Sequence, residues 1–190
     1  LDMQVLGLDA TDLGRPLYLK RGFVDTGGID RWMGQAQACD VSTNIAPLGD
    51  EHWPAITQLD QQATGVDRLA LLRRLAGESG VIPHVIVERG KGLGIGLSRK
   101  GRTANAIGPV VATSPAIGEQ LVLSLLNALH DRDGQRPVMI DVPRDAPICE
   151  SLTRLGFEVK RQLTRMVSPP NDQFMKLNPH IIAGAGFELG

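Results

Sequence analysis

The sequence predicts a mixed α/β fold, an α+β sheet of parallel and antiparallel strands with helices packed on it. Three observations carry this expectation. Short apolar runs such as Val85-Ile86-Val87 and Val138–Val142 read as buried strands, and none is long enough to span a bilayer. Segments with apolar residues on one helical face alternate with those runs. Residues 4–33 and 138–167 also repeat each other without a gap, at an offset of 134 that carries Gly22-Phe23 onto Gly156-Phe157. Each copy reads as a buried strand, a short helix, Gly-Phe, then an alternating strand with an Arg near its end.

The elements follow in order. Residues 1–34 read as strand-helix-strand, and residues 35–49 as a linker that enters a first strand near Val41–Ile45. Asp50 is a good N-cap for a helix over Glu51–Leu59. Asp67–Ala76 places Leu69, Leu72 and Leu75 on one face. Val81–Glu88 and Leu93–Arg99 are strands joined through the hairpin signal Arg89-Gly90-Lys91-Gly92, and Ala104–Ala112 is a third. Ser114-Pro115 opens a long helix with Ile117, Leu121, Leu125 and Leu129 on its apolar face. Val138–Val142 is a buried strand, Pro147–Leu155 a helix and Phe157–Met166 the last strand. The order over residues 41–167 is therefore β-α-α-β-β-β-α-β-α-β. The tail, residues 168–190, is expected to dock on the surface through Ile181–Phe187.

Only the second copy of the repeat has helices and strands before it. The chain begins at Leu1, so residues 1–34 are expected to end an earlier domain whose front lies outside this sequence. A strand-helix-strand unit cannot bury its own faces. Tyr18 and Phe23 are expected to be substantially buried, covered by the C-terminal tail, a partner chain or a missing domain.

Composition excludes several function classes. The 190 residues carry 20 Lys+Arg and 21 Asp+Glu, a net charge of −1, which offers no footprint for nucleic acid or an anionic membrane. Hydrophobic residues at 42% argue against wholesale disorder. Cys39 and Cys149 stand far apart and fit no metal spacing, so the expectation is a reduced, cytoplasmic protein with no metal.

Two glycine-containing segments could hold a phosphate. Arg89-Gly90-Lys91-Gly92-Leu93-Gly94 is followed by more alternating glycines rather than by a helix, which favours a plain β-turn. Thr113-Ser114-Pro115-Ala116-Ile117-Gly118-Glu119 stands between a strand and the longest helix, where backbone amides can face an anion; an ordinary capped helix is the alternative.

These residues, taken together, resemble the GCN5-related N-acetyltransferases, the GNAT superfamily. Tyr18…Gly22-Phe23 and Leu152…Gly156-Phe157 look like two copies of its helix-to-strand motif. Thr113, Ala116 and Gly118 fall where the family carries its pyrophosphate loop, although Thr113 and Ala116 depart from the family's usual residues. The ordered set Asp60…Asp67-Arg68, Ile107–Ala112, Ile140–Pro143, Gly156-Phe157 and Arg165-Met166 is similar to the C-terminal part of a bacterial tandem-GNAT protein.

The resemblance implies acetyl transfer from acetyl-CoA to a small-molecule amine. It implies that pantetheine pairs with a splayed, open edge at Val110, Val111 and Ala112, and that a backbone N–H near Val111 polarises the thioester. The pyrophosphate would lie on Thr113, Ala116, Ile117, Gly118 and Glu119. Glu88, Asp60 and Asp141 are the candidate bases, and Asp67 and Arg68 the candidate substrate contacts. Each has an ordinary alternative: a hairpin charge for Glu88, a surface pair or helix cap for Asp67-Arg68. His84 beside Pro83 reads as a core or edge histidine, and Cys149 as packing. The family's thiolate-protonating tyrosine is Leu152 in the complete copy and survives as Tyr18 in the other. Two further readings are open: a degenerate GNAT module acting as a partner domain, and a nucleotide-binding protein using Arg89–Gly94. A homodimer or a missing N-terminal domain is the expected cover for residues 1–34.

Overall fold

The computed structural model describes residues 5–41, 44–170 and 177–186. The first repeat copy forms β1 (Leu6–Ala10), α1 (Arg15–Leu19) and β2 (Val24–Gln35). Then come β3 (Ala46–Pro47), α2 (Trp53–Thr64), α3 (Leu69–Ala76), β4 (Ile82–Glu88), β5 (Lys91–Lys100) and β6 (Asn105–Ala112). The chain continues as α4 (Pro115–Asp133), β7 (Pro137–Pro143), α5 (Ile148–Arg154), β8 (Glu158–Ser168) and β9 (Ile181–Ala183). The expected first strand at Val41–Ile45 is found later, as the two-residue β3; Ser42 and Thr43 lie outside the described residues.

One sheet contains all nine strands of the described residues, in the path β1-β8-β2-β7-β6-β5-β4-β3, with β9 beside β6. The pairing of β6 with β7 is parallel and the rest is antiparallel. Packing explains the glycine-rich β5. A Cβ on Gly94 would lie 2.6 Å from Leu121, and one on Gly96 2.9 Å from Leu125, so bare backbone lets α4 press on the sheet. Leu121, Leu125, Leu126 and Leu129 of α4 are fully buried against that face. Ile56 and Leu59 of α2 cover the opposite face with Val85, Ile95 and Leu97. Two helix starts match their sequence signals: Ser114 Oγ accepts from the Ile117 amide at 3.4 Å, and Asp67 Oδ1 accepts from Leu69 at 2.9 Å. The expected Asp50 cap does not form: Asp50–His52 make a 3-10 turn and α2 begins at Trp53 with no side-chain cap.

The two repeat copies interleave. β2 lies between β7 and β8, and β8 lies between β1 and β2. Their registers obey a pseudo-twofold axis through the Ile29–Leu163 pair: Asp25↔Met166 has its image in Trp32↔Val159, and Gly28↔Thr164 in Asp30↔Gln162. The offset of 134 therefore holds for β2 and β8. It fails for β1 and β7, where Asp9↔Arg165 has its image in Arg31↔Asp141, an offset of 132. The second copy carries two more residues between strand and helix, which an ungapped alignment conceals.

This interleaving changes what covers the first copy. Ile29 and Trp32 are buried by the second copy rather than by the tail. Tyr18 and Phe23 are half-buried, less than expected, and meet each other edge-on at 5.6 Å. No residue of α1 is buried, and Leu13 and Leu17 are 95% and 56% exposed. The tail also departs from expectation. Ile182 and Ala183 are not on the surface but buried inside the sheet, while Phe187 lies outside the described residues.

Candidate active site

Strands β6 and β7 pair at only three positions, from Asn105↔Val138 to Ile107↔Ile140, and then separate. A bulge drives the separation. Between Ile107 and Val110, β6 carries an extra residue relative to β5, at Gly108-Pro109. Gly108 has φ 144°, and a Cβ there would fall 1.9 Å from the Gly184 carbonyl oxygen, so this position requires glycine. The result is a wedge between two parallel strands, bounded at its C-terminal end by the first turn of α4.

The β6 side of the wedge was expected to be an open edge at Val110, Val111 and Ala112. It is instead paired with β9, Val110 opposite Ala183 and Val111 opposite Ile181. The Ala112 amide donates to the His180 carbonyl at 2.9 Å, and the Gly184 amide donates across the wedge to the Asp141 carbonyl at 2.8 Å. Arg99 fastens this strand by donating to the carbonyls of Gly108 and Ala185. Ile182 lies on the first turn of α4, where a Cβ on Gly118 would come within 2.4 Å of it.

Beneath β9 is a cavity of about 30 Å³ between Asp9, Arg68, Val111, Asp141 and Arg165, room for one or two waters. Three bidentate ion pairs border it. Asp141 accepts from Arg31 at 2.7 and 2.7 Å, Asp9 from Arg165 at 2.8 and 2.8 Å, and Asp60 from Arg68 at 3.0 and 2.7 Å. All three carboxylates are at least 95% buried, and the first two pairs are images across the pseudo-twofold axis. On the outer side of β9 is a wider cleft of about 320 Å³, lined by Gly28, Pro115, Arg144, Ile148 and Ile182. Arg144 is held there by Asp30 at 2.8 Å, which favours its charged form through that hydrogen bond.

The other candidates are placed as follows. Asp67 is exposed and caps α3, while Arg68 reaches the cavity. Glu88 is exposed at the end of β4 opposite Lys91, away from the cavity. Thr113 donates to the Leu93 carbonyl through its amide at 2.8 Å and its hydroxyl at 3.2 Å. The Gly118 amide donates within α4 to Ser114 O at 3.1 Å, and Glu119 turns to Ser151 and Arg154 of α5. Arg89 and Gly90, with φ 49° and 75°, form a two-residue hairpin turn rather than a phosphate loop. Leu152 is fully buried, and burial pushes the Cys149 thiol up, so it stays protonated at neutral pH.

Sequence reasoning missed Asp9, Arg31, Arg165 and Arg144. The repeat holds the signal for the first three: aligned with the two-residue slip, Asp9 falls on Asp141 and Arg31 on Arg165.

His84 is half-buried on β4, opposite Pro47 of the edge strand β3. Its Nδ1 is 2.8 Å from Ser124 Oγ, and burial lowers its pKa from 6.5. As pH falls below about 6.5, the unfolded chain binds a proton there that the folded chain resists, so folding weakens toward acid pH. The melting temperature is expected to drop between pH 7.5 and pH 5.5. His84→Gln should lessen that drop, and an unchanged pH dependence would refute the assignment.

Comparison with known proteins fits this architecture. The family model described as an acetyltransferase (GNAT) domain matches residues 56–180. The Bacillus subtilis (strain 168) protein named as the uncharacterized N-acetyltransferase YitH is 27% identical over 154 residues, 79% of this chain and 53% of the relative. The chain thus spans about half the length of that curated relative. Among solved structures, an acetyltransferase assignment from Pyrococcus horikoshii superposes with TM-score 0.74 at 21% identity, over 98% of this chain and 60% of the other. A tandem GNAT protein from the clavulanic acid biosynthesis pathway gives 0.57 at 16% identity, over 88% and 63%. These likenesses show the fold, and the family match covers well over half of the sequence. The chain belongs to the GNAT acetyltransferase family.

Proposed function

We propose that the chain is an acetyl-CoA-dependent N-acetyltransferase acting on a small-molecule amine, with the cofactor arm in the β6/β7 wedge. The observation that carries this reading is β9 itself. The wedge holds an extended chain that exchanges amide hydrogen bonds with β6 and ends at a helix N-terminus. Pantetheine is also an extended chain with amides, so the wedge suits it by the same pairing. Val110, Val111 and Ala112 would flank the arm, and the first turn of α4 around Ala116 and Ile117 would receive the pyrophosphate, with Arg144 at the cleft mouth.

Bound acetyl-CoA supplies a thioester acetyl group. Chain residues would do the rest. Asp141, on the wall of the cavity that Val111 also lines, takes the proton from the acceptor ammonium. Asp9 and Asp60, with their arginines, set the charge of the acceptor pocket. A β6 amide near Val111 polarises the carbonyl. No tyrosine lines the cavity among the described residues.

The exposed face of β1 and α1 bears on partners. In the second copy, β6 pairs with β7 and α4 packs on α5; β1 and α1 have no such neighbours among the described residues. We propose that a β6–α4-like unit covers them, from a preceding domain or a second copy.

The test is thiol release from acetyl-CoA in the presence of a panel of primary amines. The expected result is CoA production that requires an amine. Absence of both turnover and CoA binding would leave a partner module as the better reading.

A further inference from the structure

We propose that β9 is an autoinhibitory strand, a segment of the chain that holds the wedge closed and must leave before acetyl-CoA can bind; this rests on the cofactor reading above. The occupancy is complete at each point the cofactor arm would need. The Ala112 amide is taken by the His180 carbonyl, and the Asp141 carbonyl by the Gly184 amide. Ile182 covers the first turn of α4, and the cavity beneath β9 is left too small for an amine substrate.

The ladder of this strand with β6 is short, three residues, Ile181–Ala183, flanked by the bonds at His180, Gly184 and Ala185. Gly184 and Gly186 follow it, and Asn178-Pro179 precede it in a turn. On its outer side the cleft of about 320 Å³ gives a ligand a place to start displacing it. Competition of this kind lowers apparent affinity by the fraction of molecules already open, so loosening the strand tightens binding.

The experiment uses the full 190-residue chain, with CoA as the probe. Calorimetry is run on the unaltered chain and on Ile182→Ala, and hydrogen exchange is followed on the unaltered chain with and without saturating CoA. The expected result is about tenfold or greater tightening for Ile182→Ala, together with faster exchange of the Gly184 amide, which donates across the wedge to the Asp141 carbonyl, when CoA is bound. Binding to Ile182→Ala alone would also support the proposal. CoA binding to the unaltered chain with that amide still protected would overturn it and leave the cofactor reading standing. So would equal affinity in a folded Ile182→Ala. Failure of both chains to bind CoA would overturn the cofactor reading and this proposal with it. Should Ile182→Ala not fold, the exchange result on the unaltered chain decides.

Discussion

Asp141→Asn is expected to lower kcat/KM by about 10²–10⁴-fold, the range for loss of a general base. The carboxylate combines three features: it is 95% buried, it lies across the cavity from Val111, and Arg31 holds it in one orientation through two hydrogen bonds of 2.7 Å. The amide keeps the shape but cannot take a proton. Measured on the acetyl-transfer assay, the loss should fall on kcat, with CoA affinity within a few-fold of the parent. A variant that turns over normally would remove Asp141 from the chemistry. Glu88, exposed at the hairpin opposite Lys91, is the contrasting site, and Glu88→Gln is expected to leave turnover unchanged.

Asp9→Ala should cost about 3–5 kcal/mol of folding stability, because it leaves Arg165 without its carboxylate at the interface of the two repeat copies. The double change Asp9→Leu with Arg165→Met should recover most of that loss, since a paired charge removed as a pair costs little. Chemical denaturation of the three chains measures both. This pair joins β1 to β8 and so reports on the interleaved sheet. If Asp9→Ala were as stable as the parent, β1 would not be anchored as described.

Local structure was legible because local physics set it. Ser114-Pro115 capped α4, and its leucines at every fourth position packed where the periodicity placed them. Arg89-Gly90 made a hairpin turn because the following glycines suit a strand pressed by a helix. The repeat was legible too, from Gly-Phe and the strands around it. Its two-residue slip was not, since the extra residues fall in a loop that carries no pattern. The insertion of β2 between β7 and β8 is a choice of partner among strands, and no residue announces it. β9 was hidden for a similar reason: Ile181-Ile182-Ala183 in a glycine-rich tail reads equally as a surface patch. The Asp–Arg pairing was not legible in sequence: Asp60 and Asp141 stood out as candidate bases without their arginines, because burial of a charge depends on a partner found elsewhere in the chain.

The most direct test of the account is a crystal structure of the chain with acetyl-CoA bound. The predicted result is the pantetheine arm beside Val110–Ala112, the pyrophosphate at the first turn of α4 and the acetyl group facing Asp141. Density for the cofactor at another place, such as the Arg89–Gly94 hairpin, with β9 still paired to β6, would contradict it.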